Sequence, residues 1–245
     1  MKTPLAMKTH KDKEDQRHIV LFDVDGTLVD GSADGDSAGL RSMLAAARMV
    51  TGRSDVYDQV EFAGRTDLQI ARDLLRAAGV QDVSGRQIDA LLAAYLAQLE
   101  RNVETFPYRA LGDIPAAVAV LREQGALIGL GTGNLRAGCG LKLASAGLMA
   151  HFNLDRGGFG LDGETRVEVL RAGVRRCDPT GGRPVIVVGD TPHDVTAAHG
   201  IGAPCVAVTT GPYDRAALQR AGAESVLDRL DETLGAVVDR LVPRG

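Results

Sequence analysis

The chain of 245 residues has no tryptophan, and aromatic residues make up only 4% of it. Aromatic platforms for stacking the bases of single-stranded nucleic acid are therefore not expected. Cysteine is also sparse. Cys139, Cys177 and Cys205 stand far apart with no CxxC pair. That odd, small count fits core or surface thiols in a reducing cytoplasm rather than a disulfide framework. No apolar run reaches the roughly 18 residues of a membrane span. Neither sign of charge dominates, since the formal net charge is −4. Such a balance favours solubility and exerts no global pull on nucleic acid or anionic membrane.

The rest is ordinary for a globular protein, 44% apolar and 24% charged, and long enough to bury a proper core. Four short apolar runs read as strands covered on both faces: IVLFD (19–23), ALIGLGT (126–132), PVIVVGD (184–190) and APCVAVTTG (203–211). Helical patterns fall between them, over 113–125, 135–148, 164–177 and 194–202. Strands alternating with helices predict an α/β fold with a Rossmann-like parallel sheet.

Residues 35–105 differ, reading as one helix after another with no buried strand. They are expected to form an inserted all-helical cap, and FPYRALGD (106–113) the linker back. The expected domains are thus an α/β core of 18–34 and 106–245 and a cap of 35–105. Residues 1–17 read as a disordered lead-in without the apolar stretch of a secretory signal. The final LVPRG resembles a thrombin-cleavage remnant and equally continues the preceding helical pattern.

The chemistry gathers where the strands end. IVLF runs straight into Asp23, with Asp25, Gly26 and Thr27 following. Burying an unpaired carboxylate costs several kcal/mol, roughly, so two at a strand end imply a cation to hold or a reaction to run. One can serve as a nucleophile and the other as a general acid and base, although DVDGT also suits a turn. Asp190 ends another strand and Asp194 follows it, a spacing that suits Mg²⁺, though Asp194 can equally cap a helix. In LGTGN, the Thr132 hydroxyl and the backbone around Gly133 and Asn134 can cradle phosphate oxygens, or simply join strand to helix. Lys142, Arg156 and Arg166 are the candidate balancing charges, each also readable as a surface residue. In open α/β sheets ligands bind beyond the carboxyl ends of the strands, where these polar groups lie.

Together these motifs resemble the haloacid dehalogenase superfamily from about residue 18 to 230, in particular its phosphatases of the phosphoglycolate phosphatase type. The resemblance implies Asp23 as nucleophile and Asp25 as acid and base. It implies Thr132 as the second-motif hydroxyl, with Gly133 and Asn134 beside it on the phosphate. It implies Mg²⁺ held around Asp23, Asp190 and Asp194, with Asp25 contributing at or near its backbone carbonyl. The second aspartate, Asp25, favours phosphoryl transfer over cleavage of carbon–halogen or carbon–phosphorus bonds. GRTD (64–67) resembles a cap segment that reaches the active site, making Arg65 and Thr66 substrate-selecting candidates; both also read as helix-start polar residues. The sequence departs from the family where a KPxP stretch often carries the third-motif lysine. Here it reads GGFGLDGETRVEVL, so Arg166 is the first choice for that charge and Lys142 the second. Tyr57, Tyr108 and His193 are further pocket candidates without an assigned role.

The expected protein is a cytoplasmic, Mg²⁺-dependent phosphatase of a small-molecule phosphate ester, working through an aspartyl-phosphate. It should engage neither nucleic acid nor membrane and be a monomer or a homodimer. A sugar-phosphate mutase of the same fold and a catalytically weak binding or regulatory protein are the alternatives.

Overall fold

A computed structural model describes residues 18–30, 37–56 and 59–242. The expected lead-in, the junction at 34/35, Tyr57 and the last three residues of LVPRG lie outside the described residues. The central strand is β1 (His18–Phe22), with all five residues buried. Its side chains alternate between two cores, as a strand requires. Val20 and Phe22 join one cluster; Ile19 and Leu21 join another with Leu170, Val187 and Val195. Fully burying such side chains stabilises the fold by about 1.5–3 kcal/mol each. That lets the strand carry carboxylates at its end.

After a two-residue strand β2 (Val29–Asp30), three helices follow: α1 (Ala38–Thr51), α2 (Asp67–Ala77) and α3 (Gly85–Thr105). Ser37, Thr66 and Ser84 cap their N-termini; the last two form reciprocal capping boxes with Gln69 and Gln87. On α3 the buried residues Ile88, Leu91, Leu92, Tyr95 and Leu99 fall three or four apart, a stripe that packs against α1 and α2. The chain then returns through β3 (Arg109–Ala110), which pairs antiparallel with β2, Val29 opposite Ala110. The insert therefore leaves and rejoins the core across one small ribbon. The apolar pattern of the linker gave no sign of it, because two residues are too few to show a period.

The remaining elements alternate: α4 (Ile114–Glu123), β4 (Ala126–Gly131), α5 (Arg136–Ser145), β5 (Gly157–Gly158), α6 (Arg166–Cys177), β6 (Val185–Gly189), α7 (Pro192–Gly200), β7 (Cys205–Val208), α8 (Arg215–Arg220), β8 (Ser225–Leu227) and α9 (Thr233–Leu241). Six strands make one parallel sheet in the order β5-β4-β1-β6-β7-β8. The expected α/β sheet with an inserted helical cap is present. The two outermost strands go beyond the four expected, since Gly157–Gly158 and the half-buried Ser225–Leu227 have no continuous apolar run. Among the described residues no helix is long and apolar enough to cross a membrane.

Three adjacent strands, β4, β1 and β6, run in the same direction. The residue after each is Thr132, Asp23 and Asp190. The sheet thus sets those three side by side at its carboxyl edge.

Candidate active site

The DVDGT turn is built for close approach. Gly26 has φ of 78°, and a Cβ there would overlap the Asp190 carboxylate, so only glycine fits. Thr27 Oγ1 donates to Asp190 Oδ1 at 2.9 Å. Asp23 is held at the strand end by its backbone N–H, which donates to the Val188 carbonyl at 2.9 Å. One turn thereby fixes carboxylates from two strands.

Asp23, Asp190 and Asp194 are buried, and one carboxylate oxygen of each lies within 4.8 Å of the others. Asp194 sits in the first turn of α7. Its Oδ2 accepts from the Thr191 N–H at 3.1 Å and its own N–H donates to Thr191 Oγ1 at 3.2 Å, which closes a capping box, while its Oδ1 pairs with Arg166. The N-cap of α7 is Thr191, with Asp194 its N3 partner rather than the cap itself, and the other Asp194 oxygen faces Arg166. Arg166, at the start of α6, also reaches Asp23 Oδ1 at 3.2 Å. Burial pushes the Asp23 carboxyl up to about 6; Arg166 opposes this, and Asp194 and Asp25 add to it. Asp190 is raised well above the ordinary carboxylate value by burial first, then by Asp194 and Asp23. One guanidinium faces three buried carboxylates, which leaves negative charge to be balanced. The donors are all oxygen, the chemistry that a hard divalent cation such as Mg²⁺ prefers, so the residues present fit that ion.

Asp25 is not in this cluster. Its carboxylate lies on Lys142, with Nζ at 2.6 Å from Oδ2 and 2.9 Å from Oδ1, and accepts from Asn134 Nδ2 at 2.7 Å. Asn134 Nδ2 also reaches Thr132 Oγ1 at 2.8 Å, and Asn134 Oδ1 accepts from Lys142 at 2.5 Å. Burial works against the Lys142 charge. Asp25, Tyr108, Tyr95 and Asp67 outweigh it and hold the lysine well above its ordinary pKa. Both basic candidates thus reach the site, on different carboxylates: Arg166 on Asp23 and Asp194, Lys142 on Asp25. Arg156 does not line the cavity over these carboxylates.

A cavity of about 610 Å³ opens over these groups, with Asp23, Asp25, Thr132, Gly133, Asn134, Lys142, Arg166 and Asp190 in its wall. The helical insert supplies Leu40, Met43, Phe62, Ile70 and Tyr95, with Arg65 and Asp67. Arg65 pairs with Asp73 at 2.7 Å, and its buried Nε has no partner. Thr66 is fully buried and its hydroxyl accepts from Gln69 N, so it serves the α2 cap rather than facing the cavity. Tyr108 is buried beneath α1, its hydroxyl accepting from Gly39 N at 2.9 Å. His193 is half-exposed, 4.0 Å from Glu61 of the insert. All three cysteines are free and buried.

Two contributors were missed from the sequence. Thr27 lies inside the quoted motif, but only the sheet reveals that it faces Asp190. Asp67 ends the GRTD segment and looks like an ordinary first-turn acid. It is instead buried at 6% exposure, and burial pushes its pKa up to about 6.

A family model described as haloacid dehalogenase-like hydrolase matches residues 18–202. A probable phosphatase, IndB, of Dickeya dadantii is 24% identical over 220 residues, covering 89% of this chain and 92% of that protein. A phosphoglycolate phosphatase of Synechococcus elongatus is 26% identical over 218 residues, covering 89% and 96%. Among solved structures, a putative beta-phosphoglucomutase from Bacteroides vulgatus superimposes with a TM-score of 0.64 at 17% identity, covering 93% of this chain and 89% of that one. At that identity the likeness speaks for the fold alone. The family model spans most of the chain, and its fold and the carboxylates at its sheet edge agree with that match: the protein belongs to the haloacid dehalogenase-like hydrolases.

Proposed function

We propose that the protein is a Mg²⁺-dependent phosphatase that hydrolyses a small-molecule phosphate monoester through an aspartyl-phosphate. The observation that carries this reading is the separation of Asp23 from Asp25. One lies with two further carboxylates and Arg166, the other with Lys142 and Asn134, around one cavity. Two carboxylates in different surroundings suit two roles.

Asp23, Asp190 and Asp194 would hold the ion, with the backbone near Asp25 contributing. Bound there, it neutralises phosphate oxygens so that an anionic carboxylate can approach an anionic ester. An Asp23 oxygen attacks phosphorus, and the bond from phosphorus to the ester oxygen breaks. Asp25 gives its proton to the departing oxygen. Water then attacks the aspartyl-phosphate, Asp25 takes a proton from it, and inorganic phosphate leaves. Acid–base help of this kind is typically worth roughly 10²- to 10⁴-fold. Thr132, the backbone of Gly133 and Asn134, and Arg166 bind the transferring oxygens. The Arg166 Nε, buried and without a protein partner, is left as a donor for one of them. Lys142 orients Asp25. The phosphatase names of the two relatives above support the same reading. We divide the chain into a core of 18–34 and 106–245 and a cap of 35–105, with the cap closing on the leaving group and Arg65 contributing to its selection.

The test is inorganic phosphate release over a panel of esters, including 2-phosphoglycolate and hexose phosphates, with and without Mg²⁺, beside Asp23→Asn. Mg²⁺-dependent release that vanishes in the variant is expected. Release that survives Asp23→Asn in a clean preparation sinks the covalent route, and formation of a sugar-phosphate isomer without phosphate release means a mutase.

A further inference from the structure

Helix α5 begins without a cap of its own. Its N-cap residue is Leu135, which has no side-chain acceptor to offer. Yet this helix carries Lys142 in its last turn, and the residue just before Leu135 is Asn134, so the helix and its lead-in hold two of the groups that grip Asp25. The N–H of Leu135 itself, the one that the return bond of a capping box would satisfy, is met from the helical insert. Asp67 Oδ2 accepts from the Leu135 N–H at 2.7 Å, and the Asp67 N–H donates to the Gly133 carbonyl at 2.8 Å. The two bonds bracket Asn134. The approach is so close that a Cβ on Gly133 would overlap the Arg65 carbonyl. Thr66 already caps α2, so that helix does not require the Asp67 carboxylate for its own start.

We infer that Asp67 is a positioning residue that caps α5 from the helical insert, so that seating the insert sets Asn134 and Lys142 against Asp25. For its catalytic consequence this rests on the phosphatase reading. Without the Asp67 bond the start of α5 is untied and the grip on the acid–base carboxylate loosens. A second tie runs from the same helix: Arg72 pairs in a fork with Glu164 at 2.5 and 2.8 Å. That pair is exposed and two residues from Arg166. Being on the surface, it is expected to contribute little.

The test is amide hydrogen exchange across residues 132–138, referenced to Val206 in β7, for wild type, Asp67→Ala, Asp67→Asn and Arg72→Ala. Steady-state kinetics on the best ester run alongside. Asp67→Ala should speed exchange at Leu135 by about tenfold or more relative to Val206, the scale of a lost cap. Asp67→Asn, whose amide oxygen still accepts, and Arg72→Ala should each stay within about threefold. In turnover, Asp67→Ala should lower kcat by about tenfold while moving KM much less, and Asp67→Asn should recover most of the loss. If Asp67→Ala does not fold, Asp67→Glu, one methylene too long, takes its place in both comparisons. Unchanged Leu135 exchange overturns the inference. So does acceleration by Arg72→Ala equal to that of Asp67→Ala, because the effect would then belong to seating of the insert at large. A wild type that releases phosphate from no ester sinks the phosphatase reading instead, and the exchange measurements still judge Asp67.

Discussion

Asp23 and Asp25 stand two residues apart, and their carboxylates part company because each has its own cation. Arg166 serves the first and Lys142 the second. The two cations are not interchangeable. Arg166 Nη2 reaches both Asp23 and Asp194, and its buried Nε has no hydrogen-bond partner. A lysine offers one point charge on a flexible stem and cannot reproduce that fork. Arg166→Lys should therefore lower kcat by about tenfold or more, with little loss of thermal stability because the charge is kept. Arg166→Ala should also destabilise the metal-free protein by about 3 kcal/mol, since it leaves buried carboxylates uncompensated. Mg²⁺ should restore part of that loss. Wild-type kcat in Arg166→Lys, measured with purified protein, would show that the fork is not used. Both aspartates and both basic residues were readable as candidates from the sequence. Their pairing was not, because Lys142 and Arg166 lie 117 and 143 residues from their partners.

At the scale of elements, the central strand β1 begins with a histidine. His18 is 4% exposed and neither ring nitrogen has a hydrogen-bond partner. Burial lowers its pKa, with the Asp239 carboxylate opposing. Above about pH 6.5 the imidazole is neutral in both folded and unfolded chains and contributes nothing to pH dependence. Below that the unfolded chain takes up a proton that the folded one resists, so stability falls with falling pH. His18→Leu should remove this component. The difference in melting temperature between variant and wild type should be flat above about pH 6.5 and grow in the variant's favour below it. A constant difference from pH 8 to 5 would mean that His18 titrates normally in the fold. The strand itself was legible, because HIVLF is a continuous apolar run after its first residue. The β2–β3 ribbon and β5 were not, since a two-residue strand shows no periodicity and is made by its partner.

For the molecule as a whole, three buried carboxylates against one guanidinium make a folded state that a cation should stabilise. A ligand that binds only the folded chain adds about 2.7 kcal/mol at a hundred times its Kd. For a chain of this size that corresponds to a rise of roughly 5–10 °C in Tm. Mg²⁺ should produce such a rise in wild type and not in Asp190→Asn, as read by thermal unfolding with and without the ion. An equal rise in Asp190→Asn would place the stabilising ion elsewhere.

The residues of the sequence were enough to determine the class of fold, the helical insert and the candidate carboxylates. Each of those rests on local patterns: apolar runs, helical spacing and a motif of a few consecutive residues. Which groups face one another was decided only by the tertiary structure. Parallel strands bring Asp23, Thr132 and Asp190 to one edge although more than fifty residues separate each from the next. The insert folds back to set Asp67 against Leu135, 68 residues away. Such contacts leave no periodic trace along the chain, because they depend on strand order and on how the insert is seated.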